Sequence, residues 1–305
     1  MINDSSLTSV LDVAHNLIAD AFIDTLEVIP FLFITYLILE FMEHRMSEAS
    51  IKRFENAGPL GPIIGSALGI IPQCGFSSAA STFFAGRVIT IGTLFAVYLS
   101  TSDEMIPIFI AGGMPVYDLV MILAIKFVIG IIFGFAIDGI MRLCKFEMKT
   151  SEGFEIHKLC ERDQCSCDHH DEKSKNKILR PAILHTFQVT IFVFLVTLLL
   201  NIIIQFVGGY ESLAEFVNTN KYLSVIAASL IGLIPNCASS VAISQLYVDG
   251  VLGFGALLAG LLDACGVGLI VLFRNNRPMK HNLIITVVLF VISIAIGLIT
   301  TLIIG

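Results

Sequence analysis

The peptide Gly69-Ile-Ile-Pro-Gln-Cys74 is followed, 163 residues later in the chain, by the similar peptide Gly232-Leu-Ile-Pro-Asn-Cys237. The same offset holds without a gap from Gly69 to Leu99, and 12 of these 31 positions carry the same residue in both copies. Both copies lie in strongly apolar sequence, and both are interrupted by proline and small polar residues. A duplicated and interrupted apolar segment of this kind indicates the substrate site of a transporter.

The composition places the whole chain in a membrane. Hydrophobic residues make up 56% of the sequence and charged residues 14%, and the mean hydropathy is +0.88. Apolar runs of about 20 residues recur, which is long enough to cross a hydrocarbon core of roughly 30 Å. Backbone polar groups in lipid must be satisfied within each segment, so the fold is predicted to be an all-α polytopic membrane protein. The sequence suggests no nucleic acid partner and no covalent cofactor.

Positively charged loops predict the topology. Lys and Arg mark the cytoplasmic side, and nine of them fall within residues 142–180, with further clusters at 45–53 and 274–280. The segments 1–21 and 112–118 contain none, and 208–221 contains one. The candidate spans are Phe22–Phe41, Leu60–Gly86, Thr90–Ala111, Val116–Ile140, Pro181–Val207, Tyr222–Val248, Gly253–Phe273 and Leu283–Ile304.

Eight simple crossings contradict this charge pattern, and two re-entrant hairpins resolve the conflict. Leu60–Gly86 would enter and leave on the cytoplasmic side with its break at Pro72, and Tyr222–Val248 would do the same from outside with its break at Pro235. Each half then has three full spans plus one hairpin, and the second half is inverted relative to the first. The competing interpretation of each hairpin is an ordinary span kinked by proline.

These assignments divide the chain into four parts. Residues 1–21 form an external, amphipathic N-terminal segment, and residues 22–141 form the first membrane repeat. Residues 142–180 form a cytoplasmic loop, and residues 181–305 form the second repeat. Both termini are predicted to lie outside, and the inner membrane of a bacterium is the expected location.

Three acidic residues occur where lipid would make them costly. Asp103 and Glu104 interrupt the span Thr90–Ala111, and Asp263 interrupts Gly253–Phe273. A charge at the bilayer centre costs about 2.5–3.5 kcal/mol even on the insertion scale. We therefore expect these acids to face a cavity, a substrate or a charge partner. The most obvious partner is Lys126, with which they could instead form a structural ion pair.

The hairpin tips supply further candidate ligands for an ion. Inverted hairpins would bring their tips together, and the polar residues there are predicted to bind the substrate: Gln73, Cys74, Ser77, Ser78, Asn236, Cys237 and Ser240. Oxygen ligands suit a hard divalent cation such as Mn²⁺, whereas thiols suit Zn²⁺, Cd²⁺ or trivalent arsenic. Either cysteine could instead be a small buried apolar residue.

The cytoplasmic loop is rich in cysteine and histidine. Such tracts bind metals by composition, although this spacing matches no closed zinc-finger pattern. We predict a loose metal-collecting or sensing segment, and the competing interpretation is a disordered polar linker. Its candidate ligands are His157, Cys160, Cys165, Cys167, Asp168, His169 and His170.

With its Pro-Gln-Cys-Gly and Pro-Asn-Cys-Ala hairpins, its Ser-Thr-Ser-Asp-Glu segment at 100–104 and its Cys/His-rich central loop, the chain resembles the ten-helix heavy-metal exporters. These bacterial inner-membrane proteins carry labels such as manganese transporter or arsenic efflux protein. Ten membrane segments result here when each hairpin counts as two. The resemblance extends over nearly the whole chain and implies export of a metal or metalloid.

Three functions compete at this stage. The first is a secondary exporter of a divalent metal, exchanged for protons, because the sequence contains no phosphate-binding loop for ATP. The second is a permease for an anion, an oxyanion or a metalloid, attracted by helix N-termini and Lys126. The third is a metal sensor or accessory membrane subunit that does not transport. An enzyme is not expected, and a homodimer is the assembly to be tested.

Overall fold

The computed structural model describes residues 60–71, 74–102, 105–143, 179–206, 221–276 and 279–304, together with parts of the segment 18–37. Within these residues all regular structure is helical and no strand occurs. The prediction of an all-α polytopic membrane protein is confirmed. In the described part of the chain, four stretches are long and apolar enough to cross a membrane, namely Ile91–Ala111, Val116–Leu143, Phe254–Asn275 and Met279–Ile304.

Helix bounds repeat with the sequence offset. In the first half they are α1 (Gly61–Gly69), α2 (Cys74–Ala85), α3 (Ile91–Ser100), α4 (Met105–Ala111) and α5 (Val116–Leu143). The helix α6 (Leu179–Phe206) opens the second half. It is followed by α7 (Lys221–Gly232), α8 (Cys237–Val248), α9 (Phe254–Asp263), α10 (Val267–Asn275) and α11 (Met279–Ile304). The helices α2 and α3 shifted by 163 residues coincide with α8 and α9 at both ends. Inversion of one half relative to the other stays a prediction.

Within the described residues, each half contains two helix interruptions, one more than the sequence analysis placed. The predicted breaks near Pro72 and Pro235 are present, since α1 ends at Gly69 and α7 at Gly232. The spans Thr90–Ala111 and Gly253–Phe273, predicted to cross without a break, are each divided into two helices. Gly266 has a φ of 50° in the second break, a conformation that glycine adopts without a steric penalty.

The broken spans lie inside and the long helices lie outside. Residues 92–100 of α3 and 255–263 of α9 are all buried. By contrast, α5 and α11 expose rows of large apolar side chains, including Val128 and Ile132 on α5. Such apolar surface would be unfavourable in water and is favourable against lipid tails. The interrupted helices therefore occupy the centre of the protein.

Glycines allow the inner and outer helices to pack backbone against backbone. A Cβ atom on Gly134 of α5 would lie 2.9 Å from the Gly92 carbonyl oxygen of α3, and one on Gly297 of α11 would lie 2.7 Å from the Gly255 carbonyl oxygen of α9. Small residues at helix contacts permit this close approach in membranes. The carboxylate of Asp138 also accepts hydrogen bonds from Gly92 N (2.8 Å) and Thr90 Oγ1 (2.8 Å) at the start of α3.

At the contact between the halves, one helix of each half packs against a helix of the other. The helix α2 packs against α10 of the second half, and α8 packs against α4 of the first half. The inner helices α3 and α9 also contact each other directly. The helix that follows each proline break, α2 or α8, therefore packs on the opposite half, so polar groups of both halves meet at one interface.

Candidate functional site

Both inner helices end inside the protein. The helices α3 and α9 contain 10 residues each, and 10 residues span about 15 Å. This length is half of the roughly 30 Å hydrocarbon core. The chain then leaves helical geometry at Thr101 and Ser102 in the first half and at Ala264 in the second. The two interruptions therefore lie about half a hydrocarbon thickness from the starts of α3 and α9.

Lys126 joins the ends of the two inner helices. Its ammonium group donates hydrogen bonds to the carbonyl oxygen of Thr101, at the end of α3, and to that of Leu261 near the end of α9, the latter at 2.6 Å. The side chain is fully buried. A helix C-terminus carries partial negative charge from its unpaired carbonyl groups and attracts a cation. Lys126 thus compensates the C-terminal ends of one helix from each half.

Asp263 is the last residue of α9 and is also fully buried. Its Oδ2 atom accepts a hydrogen bond from Ser229 of α7, and the positive charge of Lys126 attracts the carboxylate. Its Oδ1 atom has no hydrogen-bond partner within the described part of the chain. Buried oxygens without a partner are rare in proteins, and an ion or a water is a common reason for one.

The glycine that opens each copy of the duplicated peptide makes room for the end of an inner helix. A Cβ atom on Gly232 would contact the Gly260 carbonyl oxygen and lie 2.6 Å from Asp263 Oδ1. A Cβ atom on Gly69 would contact Ser100 Oγ and lie 2.6 Å from the Val97 carbonyl oxygen. Because these contacts are related by 163 residues, Ser100 and Asp263 occupy equivalent places, as their register in the sequence predicts.

The serines of α2 face α10 across the interface between the halves. Ser77 and Ser78 are fully buried, and a Cβ atom on Gly268 of α10 would lie 2.7 Å from Ser77 Cβ. One turn further along α2, the Ser81 hydroxyl lies 2.6 Å from Tyr98 Oη and 2.7 Å from the Gly268 carbonyl oxygen. The Ser81 hydroxyl of α2 thus bonds the first turn of α10, the helix that follows Asp263.

Asn236 caps the N-terminus of α8. Asn236 precedes α8, is almost fully buried, and accepts a hydrogen bond from Ala238 N at 3.0 Å through its Oδ1 atom. An asparagine at this position satisfies one of the free N–H groups of the first helical turn. Ser240, one turn into α8, is buried as well.

A family comparison accounts for nearly the whole chain. Residues 9–185 and 182–304 match the model of a family described as "Putative, 10TM heavy-metal exporter". The chain belongs to this family. The resemblance stated from the sequence is therefore confirmed, and the family is one of membrane transporters. Neither the curated proteins nor the solved structures that were compared gave a match.

Several predicted site residues of this family member fall outside the described residues. Gln73, Asp103 and Glu104 are among them, and so is the loop with His157, Cys160, Cys165, Cys167, Asp168, His169 and His170. Cys74 and Cys237 begin α2 and α8, but nothing is described of their side chains. The predicted approach of the two tips stays a prediction. Within the described ranges, no group of three His, Cys, Asp or Glu residues could hold a metal.

The structure adds polar residues that the sequence analysis did not select. Ser229 bonds Asp263, and its counterpart Ser66 in α1 lies 3.4 Å from the Ala96 carbonyl oxygen. Both serines precede the duplicated peptide by three residues, so extending the 163-residue register towards the N-terminus would have found them. The two carbonyl groups bonded by Lys126 could not be found this way, because backbone groups leave no trace in a sequence.

Proposed function

We propose that the protein is a secondary transporter that exports a divalent metal cation across the inner membrane of a bacterium in exchange for protons. Its membership of a family of heavy-metal exporters supports this proposal. No covalent cofactor would be required, and the metal would be the substrate. The substrate site would lie where the interrupted helices of both halves meet, around Asp263 and Lys126.

One observation carries the proposal, namely that a single buried ammonium group connects the C-terminal ends of α3 and α9 beside a buried carboxylate. Interrupted helices that meet near the bilayer midplane form the ion and substrate sites of many secondary transporters. Ionisable groups at this depth are costly to bury and usually serve transport. A purely structural core could use leucine here, as the equivalent position Leu289 of α11 does.

The hydrogen bonds of Lys126 favour a cation as the substrate over an anion. Its positive charge is already compensated by two carbonyl oxygens and attracted by Asp263, so less of its field remains for an anion. The carboxylates Asp103 and Glu104 follow Thr101 by two and three positions in the sequence and would complete an oxygen-rich site. Amide and hydroxyl oxygens with carboxylates suit Mn²⁺, while Cys74 and Cys237 would extend the range to softer metals.

The packing of one helix of each half on the other half suggests how the site could open alternately to each side. Since α2 packs on α10 and α8 packs on α4, a rotation of one half would carry a hairpin arm of the other half with it. In transporters with repeats, access alternates largely by such rigid-body movement around a fixed site. The residues at the contact, Ser77 and Gly268 among them, would then control access to the ion.

Flux into proteoliposomes tests the proposal. Purified protein would be offered Mn²⁺, Zn²⁺, Cd²⁺, arsenite and arsenate, with and without an imposed pH gradient. We expect uptake of at least one divalent metal that is accelerated by a pH gradient of the opposite direction. Transport of the oxyanions alone would favour the permease alternative, and no flux of any kind would favour the sensor.

Two substitutions connect the flux to the site. Asp263→Asn and Glu104→Gln should each abolish metal transport in a folded protein. Each removes a carboxylate that is costly to keep within the membrane and is therefore expected to serve transport. Asp249→Asn is the matched control, since Asp249 is exposed directly after α8 and its carboxylate accepts a hydrogen bond from Gln245 Nε2 at 2.9 Å. Normal flux in either site variant would assign that acid a structural role.

Deletion of Cys160–His170 separates a transporter from a sensor. An exporter should retain its flux after the deletion because its site lies in the membrane helices. A loss of all function would indicate that the loop is the active element. Size measurements on the same detergent-purified samples would test the predicted homodimer.

A further inference from the structure

The glycine contacts of α5 with α1 and α3 recur residue by residue in the contacts of α11 with α7 and α9, although the polar groups of the two halves differ. A Cβ atom on Gly134 would approach Pro62, Gly92 and Ala96, and one on Gly297 would approach Val225, Gly255 and Ala259. Each of these neighbours in the second half carries the number of its counterpart plus 163. The surroundings of a residue in one half therefore locate its counterpart in the other.

Ser293 of α11 takes the place that Gly130 of α5 has in the first half. A Cβ atom on Gly130 would lie 2.5 Å from Ser66 Oγ and 3.5 Å from Ser100 Cβ. The counterparts of these two serines are Ser229 and Asp263, so the register between the halves puts Ser293 next to both. Its hydroxyl group is fully buried and has no hydrogen-bond partner in the described part of the chain.

A backbone carbonyl of α9 adds a third oxygen without its usual partner. At the end of α3, the Val97 carbonyl oxygen accepts hydrogen bonds from Thr101 N (3.0 Å) and Thr101 Oγ1 (2.8 Å). The counterpart oxygen belongs to Gly260, and the N–H group of Ala264 that would bond it makes no bond to the last turn of α9. This oxygen and Asp263 Oδ1 both border Gly232.

We propose that Asp263, Ser229 and Ser293, with the carbonyl oxygen of Gly260, form a sodium site in the second half of the protein. Carboxylate, hydroxyl and carbonyl oxygens at the end of an interrupted helix are the ligands that bind sodium in secondary transporters. The proposal deepens the proposed function, on which it rests for the role of the ion. Sodium would couple export in addition to, or in place of, the protons proposed above.

The charges around the site fit a single monovalent cation. In its ionised form Asp263 would supply one negative charge, and the facing charged group is Lys126 on α5, which bonds the carbonyl oxygen of Leu261 two positions earlier in α9. The other charged groups on the described elements that pack against α9 lie at helix ends, namely Lys221, Asp249, Lys280 and His281. One carboxylate balances the charge of a sodium ion, whereas the divalent metal would need the further carboxylates Asp103 and Glu104 proposed above.

The first half lacks this site because its polar groups bond one another. Ser100 replaces the aspartate, and its hydroxyl lies 2.7 Å from the Ala96 carbonyl oxygen and 3.1 Å from that of Val97. Gly130 replaces the serine, and any side chain there would collide with Ser66. The same scaffold thus carries an ion site in one half and a closed set of hydrogen bonds in the other.

Thermal unfolding of the purified full-length protein in detergent, without divalent metal, tests sodium binding directly. Samples in NaCl would be compared with samples in KCl and in choline chloride at the same ionic strength and pH. We expect a saturable rise of the Tm in NaCl, because a ligand that binds only the folded state stabilises it. Ser293→Ala should raise the apparent Kd for sodium about tenfold, as expected for the loss of one oxygen contact to a charged partner.

Ser100→Ala in the first half is the matched control and should leave the sodium response unchanged. Asp263→Asn should remove the response, and if that variant does not fold, Ser293→Ala and Ser293→Gly still decide the question. A Tm that responds equally to all three salts, or a sodium response that Ser293→Ala leaves intact, would overturn the proposal. Metal flux that depends only on pH, with no sodium binding, would refute the sodium site and leave the exporter proposal standing.

Discussion

Replacing Lys126 with methionine should destabilise the protein far more than an equivalent change in the other half. The substitution keeps an unbranched side chain but removes the donor for the carbonyl oxygens of Thr101 and Leu261. The position equivalent to Lys126 is Leu289, which is equally buried. Leu289→Met is therefore a control with the same final residue in the same packing environment.

The expected magnitude follows from the groups left behind. Each buried carbonyl without a donor costs about 1–3 kcal/mol, so the two together cost about 2–6 kcal/mol. Part of this cost is offset because a buried ammonium group no longer has to be kept out of water. We expect a net loss of about 2–4 kcal/mol for Lys126→Met, whereas Leu289→Met, which nearly conserves volume, should cost less than about 1.5 kcal/mol.

Unfolding of the purified protein in detergent, followed by helical circular dichroism, measures the difference. Lys126→Arg is a useful third variant, because it keeps a positive charge with hydrogen-bond donors and should retain part of the lost stability. Equal stability of Lys126→Met and Leu289→Met would show that the ammonium group does not hold the two helix ends together. The central role assigned to Lys126 in the site would then be wrong.

Three further outcomes are expected. Gly232→Ala should destabilise the protein by about 1–3 kcal/mol, because its new Cβ atom would contact a backbone carbonyl oxygen that cannot move aside. The control Gly139→Ala, with open space around it, should be near neutral. Equal unfolding curves for the two variants would refute the packing argument. Labelling of introduced cysteines should place residues 142–180 and 274–280 in the cytoplasm and 208–221 with both termini outside, and two cytoplasmic termini would contradict the inverted halves. Short bifunctional thiol reagents or Cd²⁺ should link or block Cys74 and Cys237 if the hairpin tips approach each other, and the variants Cys74→Ser and Cys237→Ser should both be resistant. Failure of the reagents in active protein would show that the two tips lie apart.

The sequence alone determined the class of the protein and the residue correspondence between its halves. Apolar runs of membrane length leave helices as the available spanning structure here, and the 163-residue register set the correspondence between the halves, including that of Ser100 with Asp263. Both features depend on the order of residue types along the chain. For this reason they could be predicted without coordinates, and the family could be recognised from short interrupted motifs.

The tertiary structure alone decided how the polar groups are paired. It showed that the two spans containing the acids are each broken into two helices. The carbonyl groups at such a break need donors from elsewhere in the fold, and Lys126 is the donor for Thr101 and Leu261. It also showed that two halves with the same packing differ in their unsatisfied oxygens, which depends on distances between residues far apart in the chain. Asp263 and Ser229 lie 34 residues apart in the chain, and only folding brings them into a hydrogen bond.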